Sequence, residues 1–79
     1  MISKIYLTGK QLATLQTRPK TYKQAGAQIT GKVLLGNEAH LKGVRKALQE
    51  WIQQSGQVEV EMELQPIIDQ IDEALKKAS

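Results

Sequence analysis

Residues 37–56, "NEAHLKGVRKALQEWIQQSG", carry the clearest structural signal in this 79-residue chain. Apolar residues recur there every three or four positions, which places them on one stripe of a helix: Leu41, Val44, Leu48, Trp51 and Ile52. Asn37 is a good N-cap, and Gly56 lies where helices commonly end in the left-handed conformation. The segment therefore predicts one long helix that buries this stripe and turns Lys42, Arg45 and Lys46 outward.

Alternating residues on both sides of this helix predict strands. Upstream, residues 28–35 place Ile29, Gly31, Val33 and Leu35 on one side of a single strand. Downstream, "QVEVEMELQ" (57–65) alternates apolar residues with Glu59, Glu61 and Glu63. One apolar face and one polar face are typical of a strand in a sheet that is covered on one side only. We therefore predict strands over 28–35 and 58–64.

The outer parts of the chain predict three further elements. Residues 2–7 alternate loosely and predict a first strand. Thr8 and Gln11 have the spacing of a capping box, so a short helix is expected from about residue 9 to residue 17. Residues 18–26 are polar and basic, which favours a loop, and Pro66 is expected to begin the last helix.

The predicted order is β-α-β-α-β-α within one domain over residues 1–79. This order predicts a small α/β (α+β) domain, a two-layer sandwich with a three-stranded sheet and its helices on one face. The order of the strands does not follow from the sequence. A chain of this size buries a small core, so homodimerisation stays open.

Composition argues against several classes of protein. The chain has no cysteine, which excludes a disulfide framework and thiolate chemistry. It has no apolar run of signal-peptide or membrane-span length, so a cytoplasmic protein without membrane contact is expected. Neither Ser3 nor Ser55 has a nucleophile motif, and His40 has no second nitrogen or sulfur ligand beside it. We therefore expect no catalytic residue, no metal site and no cofactor.

Charge is divided unevenly along the chain. Residues 1–49 hold nine cations and one acid, a net +8, whereas residues 50–79 hold two cations and seven acids, a net −5, which together give +3. The first acidic residue is Glu38. This division indicates either a surface that binds a polyanion or two halves that pair with each other.

Two basic segments are candidate sites for nucleic acid. The loop carries Arg18, Lys20 and Lys23 around Tyr22, and the main helix carries Lys42, Arg45 and Lys46. The cations would contact phosphates of RNA or DNA, while Tyr22 would stack on an exposed base. The alternative is a solvated loop whose tyrosine folds onto the core. Separately, Lys4 and Lys32 are expected to pair across the sheet with the glutamates of the third strand, which does not account for Arg18, Lys20 and Lys23.

A protein-interaction module is the second functional hypothesis. The face formed by Glu59, Glu61 and Glu63 would contact a basic partner, or a sheet edge would pair with a second chain. Such a module would act as a small regulator, an inhibitor or an assembly factor.

Part of the chain resembles CRM-type domains, which are small RNA-binding and ribosome-maturation modules. "LTGKQLATLQ" looks like their opening helix, and "KVLLGNEAHLKGVRKALQEW" is similar to the strand, turn and helix that follow. The resemblance implies RNA contact at a Gly-x-x-Gly turn. Here the turn reads Gly36, Asn37, Glu38 and Ala39, so the second glycine is absent, and the last strand of the family has no counterpart.

Overall fold

Three strands and four helices make up the fold of residues 2–78, which are the residues described by a computed structural model. The elements are β1 (Ser3–Tyr6), α1 (Gly9–Gln16), α2 (Lys20–Lys23), β2 (Gln28–Thr30), β3 (Val33–Gly36), α3 (Glu38–Ser55) and α4 (Val58–Ala78). The strands form one antiparallel sheet in the order β1-β3-β2. The predicted class, a small α+β domain with a three-stranded sheet, is confirmed.

The predicted strand over 28–35 is wrong, because this segment is a hairpin. Gly31 and Lys32 form the turn between β2 and β3, and Gly31 has a φ of 60°. Glycine adopts this left-handed conformation without the strain that a Cβ introduces. The turn changes which residues face the core: Ile29 and Leu34 are paired and point inward, whereas Leu35 lies on the outer face.

The predicted strand over 58–64 is also wrong, because these residues begin α4. Leu64 is fully buried, whereas Val58 and Met62 are 69% and 70% exposed. A strand would have put all three side chains on one face. In the helix, Val60 and Leu64 instead extend the apolar stripe that contains the buried Ile67, Ile68 and Ile71.

Pro66 lies inside α4 and does not begin it. An internal proline removes one backbone hydrogen bond and crowds the preceding turn. The chain tolerates this because Leu64 before Pro66 and Ile67 after it belong to the core, and α4 packs along α3. Tertiary packing thus prevails over the local signal for a helix start.

The predicted helix boundaries are otherwise largely confirmed. Thr8 and Gln11 form the capping box of α1, and Gly56 ends α3 with a φ of 62°. Asn37 caps α3: its side chain accepts from the His40 backbone N–H at 2.9 Å. His40 is half-buried, and its Nδ1 accepts from the Asn37 N–H at 3.3 Å.

The basic segment 18–26 is not entirely a loop, since it contains the single helical turn α2. Pro19 is the N-cap of this turn and has a φ of −62°, which suits the start of a helix. The turn packs on α3 and buries Tyr22. The helices lie on one face of the sheet, with α4 beside β1 and α2 on the far flank of α3.

Candidate functional site

The packing of α2 on α3 brings the two predicted basic segments together. A shallow groove of about 310 Å³ lies between them and is lined by Lys20, Thr21 and Gln24 on one side and by Lys46 and Glu50 on the other. We call this the α2–α3 groove. Lys20 and Lys46 are exposed, and Lys23 lies at the end of the same helical turn. The groove therefore carries a cluster of lysines from distant parts of the sequence.

The close approach of the two elements depends on Gly43. A Cβ atom built at this position would lie 2.9 Å from the Cβ of Ala25, closer than side chains tolerate. Ala25 follows α2 and packs against the core. A glycine at 43 thus sets how near Lys20 comes to Lys46.

Arg18 lies at one end of the groove, over the ring of Trp51. The guanidinium carbon is 4.7 Å from the ring centroid, which is a cation–π contact. Trp51 itself is buried, as its place in the predicted apolar stripe requires. Among residues 2–78, no carboxylate forms an ion pair with Arg18, so its charge adds to the positive potential beside the groove.

Lys42 and Arg45 do not belong to this cluster. Lys42 pairs with Glu38 at 3.2 Å, one turn earlier on α3. The Nη1 of Arg45 donates to Asp72 Oδ1 of α4 at 2.9 Å, on the side of α3 away from α2. These two predicted site residues thus have acidic partners of their own.

Tyr22 is 6% exposed and belongs to the hydrophobic core. A base cannot stack on a ring in this position, so Tyr22 is not a candidate for contact with nucleic acid. The alternative interpretation, a tyrosine folded onto the core, is the one that the structure bears out. Its role is to anchor α2 against α3, which positions the lysines on either side of it.

The acidic strip predicted from Glu59, Glu61 and Glu63 does not exist as one face, because a helix separates its members. On α4, successive residues turn by about 100°, so Glu61 points away from the other two. Glu63 is tied to α1: it accepts from the Thr14 hydroxyl at 2.7 Å and pairs with Lys10 at 3.3 Å. The Thr14 hydrogen bond and the Lys10 ammonium hold the pKa of Glu63 below its ordinary value.

The loss of the third predicted strand also removes the partners proposed for Lys4 and Lys32. Lys4 lies on the outer face of the sheet beside Tyr6, which is 63% exposed. Tyr6 was not predicted as a site residue. It is exposed because it alternates with the buried Ile5 along β1.

Among residues 2–78, no three His, Asp or Glu side chains are grouped so as to hold a metal ion. No helix within the same range has the length and apolar character needed to cross a membrane.

No protein-family model matches the chain, and no curated protein or solved structure shows significant similarity to it. The resemblance to CRM-type domains therefore stays a prediction.

Proposed function

We propose that this protein is a non-catalytic nucleic-acid-binding domain that holds the phosphate backbone of RNA or DNA at the α2–α3 groove. The observation that carries the proposal is that Lys20 and Lys46 line one groove, with Lys23 on the same helical turn as Lys20, and that none of the three has an ion pair among residues 2–78. Elsewhere in residues 2–78, Lys10, Lys42 and Arg45 have carboxylate partners. Cations that have no carboxylate partner within the fold are available to contact a polyanion.

The local balance of charge favours an anionic ligand. Glu50 is the one acid among the residues that line the groove, against the cations Arg18, Lys20 and Lys46. Ammonium groups on flexible stems contact phosphates as point charges without reading sequence. We therefore expect binding that depends on salt and little on sequence. Each phosphate contact contributes about 0.9 to the slope of log affinity against log salt for a duplex, and about 0.7 for a single strand.

The test compares two variants with the same net charge. K20Q/K23Q/K46Q removes the two lysines that line the groove and Lys23 on the same helical turn, whereas K10Q/K42Q/K77Q removes three lysines elsewhere. Each variant lowers the net charge from +3 to 0. Fluorescence anisotropy with short labelled single-stranded and duplex RNA and DNA, at several salt concentrations, measures affinity and salt slope.

We expect the groove variant to weaken binding and to lower the duplex slope by about 2.7, which corresponds to three lost contacts. The control variant is expected to retain most of the slope. Equal losses in the two variants would mean that net charge alone is responsible, and the groove would then not be the site. If the wild-type protein binds no nucleic acid at low salt, the proposed function is wrong.

A protein-interaction role, the second candidate, is favoured by one feature, the groove of about 390 Å³ between the outer edge of β1 and α4. Gln70 occupies part of this edge: it accepts from the Tyr6 N–H at 3.1 Å and donates to the Tyr6 carbonyl at 2.7 Å. An extended peptide pairing beside Lys4 would have to displace Gln70. Self-pairing of β1 about Lys4 would place two ammonium groups opposite each other, which opposes a homodimer of this kind. Mass measurement by size-exclusion chromatography and light scattering at several concentrations tests for such a dimer.

A further inference from the structure

The outer face of the sheet carries two rows of side chains that no helix of residues 2–78 covers. Ile5, Leu34 and Ile29 point to the core, so their neighbours along each strand point away from it. One outer row runs across the three strands through Tyr6, Val33 and Thr30. The other runs through Lys4, Leu35 and Gln28. We call this surface the outer sheet face.

Charge on the outer sheet face is of one sign. All three strands precede Glu38, the first acid of the chain, so no strand carries a carboxylate. Lys4 lies on the face and Lys32 lies in the hairpin turn beside it. Pairing of this face with the same face of a second copy would bring equal charges together, whereas a polyanion would be attracted. Charge complementarity therefore selects a polyanionic occupant for this face.

Tyr6 gives the face an aromatic ring at a fixed position. The ring is 63% exposed, although Tyr6 lies within a strand. The two Gln70 hydrogen bonds hold the Tyr6 backbone from the side away from β3, and β3 pairs with it from the other side. The half-buried side chains of Val33 and Leu35 continue the apolar surface next to the ring. Such a surface is suited to the flat face of a nucleobase.

We propose that the outer sheet face binds unpaired bases of single-stranded nucleic acid, with Tyr6 stacking on a base and Lys4 contacting an adjoining phosphate. This inference rests on the proposed function for the kind of ligand, but it assigns a separate surface and selects single strands. In a duplex the faces of the bases are covered by their neighbours, so the ring has nothing to stack on. The outer sheet face would thus add a preference for single strands to the backbone contacts of the α2–α3 groove.

The test replaces Tyr6 by Ser and by Phe, and uses Met62→Ser as a control at another exposed apolar residue on α4. Anisotropy is measured with a single-stranded oligonucleotide, with the same oligonucleotide carrying abasic sites, and with a duplex. We expect Tyr6→Ser to lower single-strand affinity about 5- to 100-fold, in line with the loss of one base–aromatic stack. Tyr6→Phe keeps a stacking ring and is expected to keep the affinity. Met62→Ser is expected to leave it unchanged.

Two further measurements distinguish the loss of base stacking from a general disruption of the fold. Duplex affinity is expected to be the same in Tyr6→Ser and in the wild type, which also shows that the variant is folded. Abasic sites are expected to weaken the wild type strongly and to weaken Tyr6→Ser little, because the contact is already lost. Unchanged single-strand affinity in Tyr6→Ser, or equal losses for single strands and duplex, would overturn the assignment.

The two proposals fail in different ways. If K20Q/K23Q/K46Q loses affinity and Tyr6→Ser does not, the α2–α3 groove is supported as a binding site and the outer sheet face is not one. If Tyr6→Ser loses single-strand affinity and K20Q/K23Q/K46Q does not, the outer sheet face is supported as a binding site and the α2–α3 groove is refuted as one. Absence of all binding by the wild type at low salt would overturn both.

Discussion

Leu64 and Met62 together test whether residues 58–64 are helical. In the observed helix, Leu64 is fully buried and Met62 is 70% exposed, so their replacement by alanine should have very different effects. In a strand, the two side chains would share the buried face and would contribute similarly. The pair of variants Leu64→Ala and Met62→Ala therefore distinguishes the two structures by their free energies of unfolding.

The expected magnitudes follow from the burial of each side chain. Replacing a fully buried leucine with alanine typically lowers stability by about 2–5 kcal/mol, because apolar contacts are lost and a cavity remains. Full burial of a methionine contributes about 1.5–3 kcal/mol, and roughly a third of Met62 is buried, so roughly 0.5–0.9 kcal/mol is at stake. The higher helix propensity of alanine offsets part of that loss. We expect Met62→Ala to lower stability by about 0.5 kcal/mol or less.

The assay is urea unfolding followed by the fluorescence of Trp51, the only tryptophan in the chain and one that lies in the core. A domain of this size has limited stability, so Leu64→Ala is accompanied by the milder Leu64→Met, expected to lower stability by less than about 1.5 kcal/mol. Similar losses for Met62→Ala and Leu64→Ala would refute the helical assignment and restore the strand.

Three further predictions concern the contacts that position the two surfaces. Gly43→Ala is expected to destabilise the protein by about 1–3 kcal/mol through overpacking against Ala25, with recovery in the double variant that adds Ala25→Gly, measured by urea unfolding. Gln70→Ala removes both hydrogen bonds to the β1 backbone, so we expect a loss of about 1–2 kcal/mol and more self-association by light scattering. The pKa of Glu63 is lowered in the fold, chiefly by the Thr14 hydroxyl. Its contribution to stability is therefore present above the unfolded pKa and lost as pH falls through the folded one, so thermal melts of Glu63→Gln should depend less on acid pH than those of the wild type.

Local signals in the sequence predicted the starts of α1 and α3, because capping needs only neighbouring residues. Thr8 and Gln11 satisfy each other's backbone N–H groups across three residues, and Asn37 does the same for α3 with His40. These motifs are readable without knowledge of the fold.

The interior of elements was less predictable where two periods fit the same residues. Four alternating apolar residues from Val58 to Leu64 fit a strand, yet Val60 and Leu64 also fit the helical stripe that continues at Ile68 and Ile71. Packing against α3 decides between them, and that contact is not local. In the same way, Gly31 fits both an alternating strand and a hairpin turn.

The residues of the candidate site also depend on contacts between distant parts of the chain. Tyr6 and Tyr22 both stand near lysines in the sequence, and only the fold places one in solvent and the other in the core. Arg45 and Lys46 are adjacent, yet α4 supplies a carboxylate to Arg45 alone. Sequence reasoning found the charged segments but had no means to separate cations that stabilise the fold from cations that remain available.

Part of the uneven division of charge along the chain is used within the fold. Two ion pairs, Lys10–Glu63 and Arg45–Asp72, join the basic half of the chain to the acidic half. All eight acidic residues lie on α3 and α4, whereas the sheet and α2 carry none. The fold therefore separates the acidic residues in space from the sheet and α2, as the sequence separates them along the chain. We expect a polyanion to be steered away from α4, which carries six acidic residues and two lysines, and toward the α2–α3 groove and the outer sheet face.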